Sequence, residues 1–568
     1  MRRKYIALAL GITFCFVVGA TGCGSSSTAS SASTTAATET STEAVASAES
    51  SSTEATEAAP GGASEGDKSG APDGNKEGGP GEGQGGPEGN DGNQPPSMPD
   101  GGGQGFGGGA DTMTFDYDGT YSGALVADGE EVDSDGETVE ATEADQNGLL
   151  AENAGTLTVA NAKVSKSGDD TNGDRCNFYG CNSIALSLGE NSLLKLSDST
   201  LEASSEGSNA IFATDSGTVY AKGTTINTTA GNSRGLDATY NGTIIADDMD
   251  ITTKGDHCAS IATDRGGGNI SATNSSLNTS GSGSPILYST GDIEVDNVTG
   301  TASGSQIAGM EGLNTIIIRN SDLTSEITKA TASDPVANGI ILYQSTSGDA
   351  EASTGDTATF QAVDSTLTSK IESGSMFYVT NTNVNVLLSG TTLNYDSDKA
   401  NLLQIEGNDS NNWGTAGSNG GTVTFTALGE TLEGDISVDT ISSLDFFLLD
   451  GSNYTGAMKI TENSVNTSAT DAPITVNISA DSKWVVTEDT TISALNAEDG
   501  AEIVDESGKT VTIVANGKTV VEGDSDITVT VEGDYSTTVT TGETNEISSD
   551  YIDRSDFDSY FGTSTSFS

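Results

Sequence analysis

The chain has 568 residues, with 83 acidic side chains against 22 basic ones and a formal net charge of −61. A nucleic-acid partner requires basic surface that displaces counterions from phosphate, so this charge excludes nucleic-acid binding. Five cysteines exclude a disulfide-dense small domain, and the abundance of Ser, Thr, Gly, Asp and Asn argues against an ordinary helical enzyme.

The first 22 residues have the pattern of a lipoprotein signal peptide. A basic start at Arg2 to Lys4 precedes an apolar stretch from Tyr5 to Ala20, shorter than the roughly 20 residues that a spanning helix needs. The stretch runs into Thr21-Gly22-Cys23, which resembles a bacterial lipobox. That resemblance implies that Cys23 carries lipid, which would anchor the protein to the bacterial cell membrane and expose it at the cell surface. A plain secretory signal is the alternative.

Residues 23–110 form a low-complexity segment. Its first part is rich in Ser, Thr, Ala and Glu, and its second part is rich in Gly, Pro, Glu and Asp. Neither part shows apolar periodicity, so neither can bury enough surface to offset the entropy lost on ordering. We expect a disordered, hydrated tether between the membrane and a folded domain.

A repeat occupies residues 153–393. Eight segments align on their final apolar residues, Val164, Leu201, Ile226, Ile251, Leu277, Leu323, Leu367 and Leu393. The position three residues before each end always holds Asn, Asp or Gly, namely Asn161, Asp198, Gly223, Asp248, Asn274, Asn320, Asp364 and Gly390. These residues tolerate the left-handed backbone region and predict a tight turn. The positions five and seven residues before each end are all apolar, the position four before is mostly polar, and the position six before is mixed. This pattern predicts a strand with one buried face.

A unit of about 25 residues with short strands cannot bury its apolar face alone, so the units must stack. The sequence lacks the helical segment of a leucine-rich repeat and the regular blade of a propeller. We therefore predict an all-β fold, a single-stranded parallel β-helix. Its main rungs would occupy residues 111–420, its C-terminal rungs and cap residues 421–545, and a flexible tail residues 546–568.

Several stretches resemble the pectin-lyase-like right-handed parallel β-helix, and within it the adhesin-like surface lipoproteins of Gram-positive bacteria. They are Asn232 to Tyr240, Ala262 to Gly268, Ile341 to Asp349 and Asn411 to Thr415. The resemblance implies that about residues 112–535 form a right-handed parallel β-helix. Because this fold hosts lyases, hydrolases and adhesins alike, it does not by itself imply an activity.

The only histidine, His257, is expected in a turn between rungs, and a single histidine excludes a histidine cluster for metal or catalysis. Cys176 and Cys181 are five positions apart in an extracytoplasmic protein, which favours a local disulfide as much as two free thiols. Cys258 is expected to be a free, partly buried thiol.

A weak calcium candidate lies in the 37-residue unit of the repeat. Asp170, Asn172 and Asp174 resemble the start of an EF-hand loop. The pattern fails at Arg175, where glycine is needed, and at Cys181, where glutamate is needed. A polar loop with Asx turns is therefore the preferred interpretation, and no cofactor is expected, with calcium left possible.

Two arginine–aspartate pairs are candidates for ligand binding. They are Arg234 with Asp237, and Arg265 with Asp264. Asp237 and Ala262 fall near equivalent positions of successive rungs, so the two pairs could lie on one face. The resemblance implies that lyases of this fold use such arginines beside calcium-binding aspartates. Five tyrosines each fall in a different unit, and a ladder of them could stack on sugar rings; they are Tyr220, Tyr240, Tyr288, Tyr343 and Tyr378. Their offsets from the unit ends differ, which argues against a straight ladder, and the preferred interpretation is that they fill corners of the β-helix.

No cluster of catalytic residues emerges, so we expect a monomeric, non-enzymatic, adhesin-like surface lipoprotein that presents polar faces to a glycan or a surface protein. A polysaccharide lyase or hydrolase is one alternative, although an acidic substrate would be repelled by so acidic a protein. A structural surface coat without a specific ligand is the other.

Overall fold

The computed structural model describes residues 113–346, 349–350, 357–409, 413–469 and 474–567. The expected signal peptide, the lipidation site Cys23 and the tether lie outside these residues, as do Asn411 and Asn412. The remaining chain is a parallel β-helix, as the repeat predicts. Each of the first ten rungs contributes one strand to each of three long parallel sheets, here named A, B and C, and the later rungs continue sheets A and B.

The strands of these sheets are hydrogen-bonded in chain order, each to its equivalents in the rungs before and after. Sheet A has 13 strands, Gly123–Asp128, Asn147–Glu152, Ala185–Leu188, Ile211–Thr214, Leu236–Ala238, Ile261–Thr263, Leu287–Ser289, Ala308–Glu311, Asn338–Tyr343, Ser375–Thr380, Asn401–Ile405, Ile436–Asp439 and Met458–Thr461. Sheet B has 15, Glu131–Asp135, Thr156–Ala160, Leu193–Ser197, Thr218–Lys222, Gly242–Asp247, Gly268–Thr273, Asp292–Asp296, Thr315–Arg319, Ala358–Val363, Asn383–Ser389, Thr422–Leu428, Ser443–Leu449, Ile474–Ile478, Ala494–Ala497 and Tyr535–Ser536. Sheet C has 10, Thr138–Ala141, Lys163–Lys166, Thr200–Ala203, Thr225–Thr228, Asp250–Thr253, Ser276–Thr279, Thr299–Ala302, Asp322–Ser325, Thr366–Ser369 and Thr392–Asn394.

Two smaller sheets complete the C-terminal part. Sheet D contains Thr431–Glu433, Asn453–Thr455, Lys483–Val486 and Glu502–Asp505, and sheet E contains Thr490–Ile492, Thr528–Val531, Thr512–Ala515 and Lys518–Val521. The last two strands of sheet E form an antiparallel hairpin. Helix α1 spans Gly173–Tyr179, a 3₁₀ turn spans Glu543–Asn545, and helix α2 spans Ser555–Phe561.

The core consists of the apolar columns that the repeat predicts. Val219 stacks on Ile244 and Ala221 on Ala246 in register, and all four side chains are fully buried. The intervening positions point to the outer face of sheet B. Only two residues of each five-residue strand therefore have to be apolar, which is how a chain with 33% hydrophobic residues can form a continuous core.

The tight turn between sheets B and C is confirmed at all eight predicted positions, whose φ angles lie between 47° and 61°. Asn297, in a more degenerate unit, joins them with a φ of 56°. Several of these side chains also bond between rungs. The Asn274 amide donates to the Asp247 carboxylate at 2.7 Å, and the Asn297 amide donates to the Asn274 side-chain oxygen at 2.6 Å.

A row of hydroxyl groups follows this turn. Ser199, Ser275 and Ser321 each accept a hydrogen bond from a backbone N–H of the preceding rung, at 3.0, 3.0 and 3.1 Å. Each hydroxyl also donates to the carbonyl two residues before it. The row therefore satisfies backbone groups that the change of direction leaves outside the sheets.

The C-terminal residues correct the expected flexible tail. Residues 543–567 cross the outer face of sheet B, and Arg554 is 1% exposed. Its guanidinium donates to the carbonyls of Ser271 and Ala246 at 2.7 and 2.9 Å. Both carboxylate oxygens of Glu294 accept the N–H of Ile552. The reason for this packing is the position six residues before each unit end, which forms a column on the outer face of sheet B and is apolar in some units.

That outer column contains Ile245, Ile317 and Leu387, whose side chains point away from the core and are nonetheless buried. Apolar residues in a nominally outward column require a cover, and the C-terminal segment lies along the same face of the sheet. Phe557 packs edge-on against Tyr220 of this column with ring centroids 5.8 Å apart.

Replacing the buried arginine tests this packing. We expect Arg554→Ala to lower the free energy of unfolding by about 3 kcal/mol, because it leaves buried carbonyls without donors. Thermal and urea unfolding of the variant would measure the loss. Ser559→Ala, at an exposed position of the same helix, is the control. Equal stability of both variants would contradict the role assigned to Arg554.

Candidate functional site

The candidate ligand-binding residues converge on the outer face of sheet A. Asp237 lies in the strand Leu236–Ala238 and is paired with Ala262 of the next rung, so the predicted equivalence of these positions is correct. Asp264 follows directly after the strand Ile261–Thr263. Adjacent parallel strands thus place the two carboxylates on neighbouring rungs of one face.

Arg234 bridges these carboxylates. Its Nη1 lies 3.2 Å from Asp237 Oδ2, and its Nη2 lies 3.1 Å from Asp264 Oδ2. All three residues are buried, at 8%, 0% and 4% exposure. Because the guanidinium donors are bonded to these carboxylates, Arg234 stabilises the surrounding structure and does not offer those donors to a ligand.

Helix α1 covers this network. The Asn177 side-chain oxygen accepts from Arg234 Nη1 at 3.0 Å. The Thr239 hydroxyl donates to the carbonyl of Phe178, and the Asn209 amide donates to the carbonyl of Cys176. Helix α1 belongs to the insertion that lengthens the repeat unit ending at Leu201. This insertion therefore folds back over the next rungs and covers the outer face of sheet A above Arg234.

Arg265 lies at the side of the same cover. Its guanidinium carbon sits 3.6 Å from the ring centroid of Phe178, a cation–π contact, and its Nε donates to Asp349 at 2.6 Å. The Arg265 guanidinium and the Asp264 carboxylate thus form ion pairs with different residues, and the two are joined only by the Arg265 backbone N–H, which donates to Asp264 at 3.0 Å. The two predicted arginine–aspartate pairs are brought together as parts of one larger cluster.

Tyr240 belongs to an aromatic stack beside α1. Its ring lies parallel to that of Tyr179 at 5.5 Å, and Tyr179 in turn stacks on Tyr117 at 5.2 Å. Phe115 packs edge-on against both Tyr179 and Tyr240. Tyr240 is 3% exposed, so its ring packs residues 115–117 against α1 and is not open to a sugar.

The other tyrosines of the proposed ladder take separate local partners. Tyr220 contacts Phe557, the Tyr288 hydroxyl donates to Glu311 at 3.0 Å, and Tyr343 stacks on Trp413 at 4.6 Å. Tyr378 is fully buried. A straight ladder of exposed rings is therefore absent from the described residues, consistent with the unequal offsets in the sequence.

The buried carboxyl groups have perturbed acidities. Loss of solvation raises the pKa of Asp237 to about 7, although Arg234 acts in the opposite direction. Burial likewise raises the pKa of Asp264 well above its usual range, again against the effect of Arg234. One arginine balances the charge of only one of the two buried carboxyl groups, so the loss of solvation outweighs its effect on their pKa values.

The weak calcium candidate is the N-terminus of α1. The Asn172 side-chain oxygen accepts from the Arg175 N–H at 3.1 Å and caps the helix. Burial raises the pKa of Asp170. Across the part of the chain that the structure describes, no three His, Cys, Asp or Glu side chains converge as a metal site would require.

The structure has Cys176 and Cys181 as free, buried thiols, so the local disulfide considered from their spacing is not formed. Cys176 lies on the buried side of α1, with its thiol 3.1 Å from the Gly173 carbonyl. Cys181 follows Gly180, whose left-handed conformation ends the helix and turns the chain away.

Cys258 is free as expected but fully buried rather than partly so. Its sulfur accepts from the Ser233 N–H at 3.0 Å, and its own N–H donates to the Ser284 hydroxyl. Cys258 thus replaces serine in a second hydroxyl row between rungs. The neighbouring His257 adopts a φ of 57° in the turn between rungs, as the sequence predicts.

Sheet C differs from sheets A and B because its outer face is accessible. Two columns of side chains, exposed or half-buried, follow successive strands there. The first column includes Thr225, Asp250, Ser276, Thr299, Asp322 and Thr366, and the second includes Asn227, Thr252, Asn278, Thr301, Thr324 and Thr368. We call these two columns the sheet C face.

The sheet C face was not singled out in the sequence, although its signal is present. The residues directly before and after the terminal apolar residue of each repeat are polar in almost every unit. The sequence also contained a signal that the outer face of sheet A is covered. Apolar residues occupy outward positions of its strands, and Leu150, Leu186 and Phe212 form a cluster there next to α1.

No protein-family model matches the chain, and no curated protein matches it. Among the described residues, no helix is long and apolar enough to cross a membrane.

The shifted acidity of Asp237 predicts a pH dependence. A carboxyl group in an unfolded chain titrates near pH 4, so the native state binds an extra proton. The stability that this group contributes is fully present below about pH 4 and is lost as the pH rises to about 7. We expect Asp237→Asn to flatten the stability profile in this interval, as measured by urea midpoints.

Asp398→Asn, at an exposed position, is the control and should follow the wild-type profile. A variant Asp237→Asn whose profile runs parallel to that of the wild type would show that this carboxyl group does not take up the proton.

Proposed function

We propose that the protein is a non-enzymatic, adhesin-like surface lipoprotein whose β-helix binds a glycan or a protein partner through the sheet C face. The proposal includes the finer assignment to pectin-lyase-like right-handed β-helix lipoproteins of Gram-positive bacteria. The observation that carries it is the contrast between this open polar face and the covered network on sheet A.

The chemistry of the sheet C face suits an extended partner. Hydroxyl and amide groups both donate and accept hydrogen bonds, so a row of them can match many polar surfaces. Neighbouring strands of a sheet lie about 4.8 Å apart, so successive rungs repeat the row at about that spacing. A partner with regularly repeated polar groups, such as a glycan chain, could make several individually weak contacts at once.

The covered network supports a function without catalysis. A general acid or base has to come within hydrogen-bond reach of its substrate. Arg234, Asp237 and Asp264 are instead bonded to one another beneath α1. The residues that most resemble a lyase site are thereby committed to holding the cover in place.

Binding through the sheet C face can be tested with a triple variant, Asn227→Arg, Asn278→Arg and Thr324→Arg. These positions alternate along the second column, so the added side chains obstruct the face without opposing one another on adjacent strands. We expect binding on a glycan array, or in a pull-down with surface proteins, to fall about tenfold or more, since interface contacts cluster at such central positions.

The matched control is Thr519→Arg, Thr537→Arg and Thr541→Arg, which adds the same charge at exposed C-terminal positions. Binding equal in both triple variants would place the partner elsewhere. Blank arrays and blank pull-downs, with and without calcium, would contradict the proposal and favour a structural coat. Release of unsaturated or reducing ends from polysaccharides would favour an enzyme instead.

Lipid anchoring is tested separately with Cys23→Ser. We expect this variant to lose incorporation of a labelled fatty acid and to move from the membrane fraction to the medium, because one thiol carries the anchor. Cys258→Ser is the control, since that thiol is buried in the β-helix. Undiminished labelling of Cys23→Ser would exclude the lipobox interpretation.

A further inference from the structure

We propose that the edge of the first rung binds an extended, cationic segment of another protein by adding it as a strand. The first rung contains the strands Gly123–Asp128, Glu131–Asp135 and Thr138–Ala141. They are the outermost strands of sheets A, B and C among the described residues. We call these three strands the first-rung edge. This inference does not depend on the sheet C face.

The geometry of the first-rung edge provides backbone partners. Glu131 is paired with Thr156, and Thr138 with Lys163, so each strand is paired on its second-rung side. The opposite side of a terminal strand presents a row of N–H and C=O groups, which is the template that strand addition uses. At the other end of the β-helix, the hairpin of sheet E covers the last rungs.

A buried hydroxyl group without a partner indicates that this end of the β-helix is incomplete within the described residues. Ser134, in the central strand of the first-rung edge, is paired with the core residue Val159, so its side chain faces the interior at this end of the β-helix. It is 9% exposed, and its Oγ has no hydrogen-bond partner within the described part of the chain. Buried polar groups are rarely left in this state. Inside the β-helix, hydroxyl groups near the strand ends are satisfied by backbone groups of neighbouring rungs, as at Ser199.

The negative charge around the first-rung edge indicates which kind of segment can bind there. Residues 128–145 carry nine acidic side chains and no basic one, namely Asp128, Glu130, Glu131, Asp133, Asp135, Glu137, Glu140, Glu143 and Asp145. A second copy of the chain would bring the same charges to an edge-to-edge contact and be repelled. Within residues 60–110 of the same chain there are eight acidic and two basic side chains, with many Gly and Pro, so that segment is also disfavoured as a strand.

The segment that fits is therefore extended and rich in Lys or Arg. Its backbone would pair with the side of the edge opposite the second rung, where no strand of the described residues lies. Its basic side chains would meet Glu131, Asp133 and Asp135, which are exposed and alternate along one strand. Acidic residues on an edge protect it from neutral and acidic strands, and the same residues attract a basic one.

The test uses the full-length protein and three peptides of about ten residues, the length of a long strand. The first alternates Lys with Val and Thr. The second has the same sequence with alternate backbone nitrogens methylated, which keeps the charge and removes strand pairing. The third replaces Lys with Glu. We expect saturable one-to-one binding of the first by calorimetry, at least about tenfold weaker binding of the second, and none of the third.

A triple variant, Glu131→Lys, Asp133→Lys and Asp135→Lys, should weaken binding of the first peptide by about tenfold or more. The matched control, Glu522→Lys, Asp524→Lys and Asp526→Lys, reverses three exposed charges in the C-terminal part and should bind as the wild type does. Circular dichroism melts verify that both variants are folded.

Three results would overturn the inference. Equal binding of the methylated peptide would mean attraction by charge alone, without strand pairing. Equal binding by the first-rung variant would place the site elsewhere. No binding of the first peptide at low salt would leave the acidic residues with a protective role only.

Discussion

The register between successive rungs is the constraint on which the whole structure depends. Every strand in sheets A, B and C hydrogen-bonds to its equivalent in the neighbouring rungs, so each rung must change direction at the same two or three places. A slip of one residue would move the apolar side chains of a strand to the outer face. The left-handed residues at the turn between sheets B and C, from Asn161 to Gly390, fix one of these places in each unit.

Register also explains how so polar a chain can fold. Stacking places like residues next to each other, so side chains near the turns form rows that satisfy one another and the backbone. The serine row after the turn and the row that contains Cys258 are two examples. The high negative charge of the described residues is tolerated because most of their carboxylates lie at turns and outward positions, where they are in contact with water.

The three outer faces differ in how far other segments cover them, and the proposed function rests on this difference. Helix α1 closes part of sheet A over the Arg234 network, and the C-terminal segment closes part of sheet B over Ile245, Ile317 and Leu387. Sheet C keeps its polar columns accessible. Arg234, Asp237 and Asp264, which resemble a catalytic site, thus hold α1 in place. Threonine, serine and asparagine side chains form much of the open surface of sheet C.

The sequence alone determined the fold, because the period of the repeat and the Asn, Asp or Gly of its turn are local signals that every unit repeats. It also brought Arg234, Asp237, Asp264 and Arg265 to one face, since equivalent positions of adjacent units must be neighbours in a stacked structure. Only the tertiary structure decided whether that face is open. The cover comes from α1, an insertion in one unit, and from residues 543–567, whose contacts with Ser271 and Glu294 span more than 250 positions. Such contacts depend on which outward apolar columns a distant segment can reach, and no repeat encodes them.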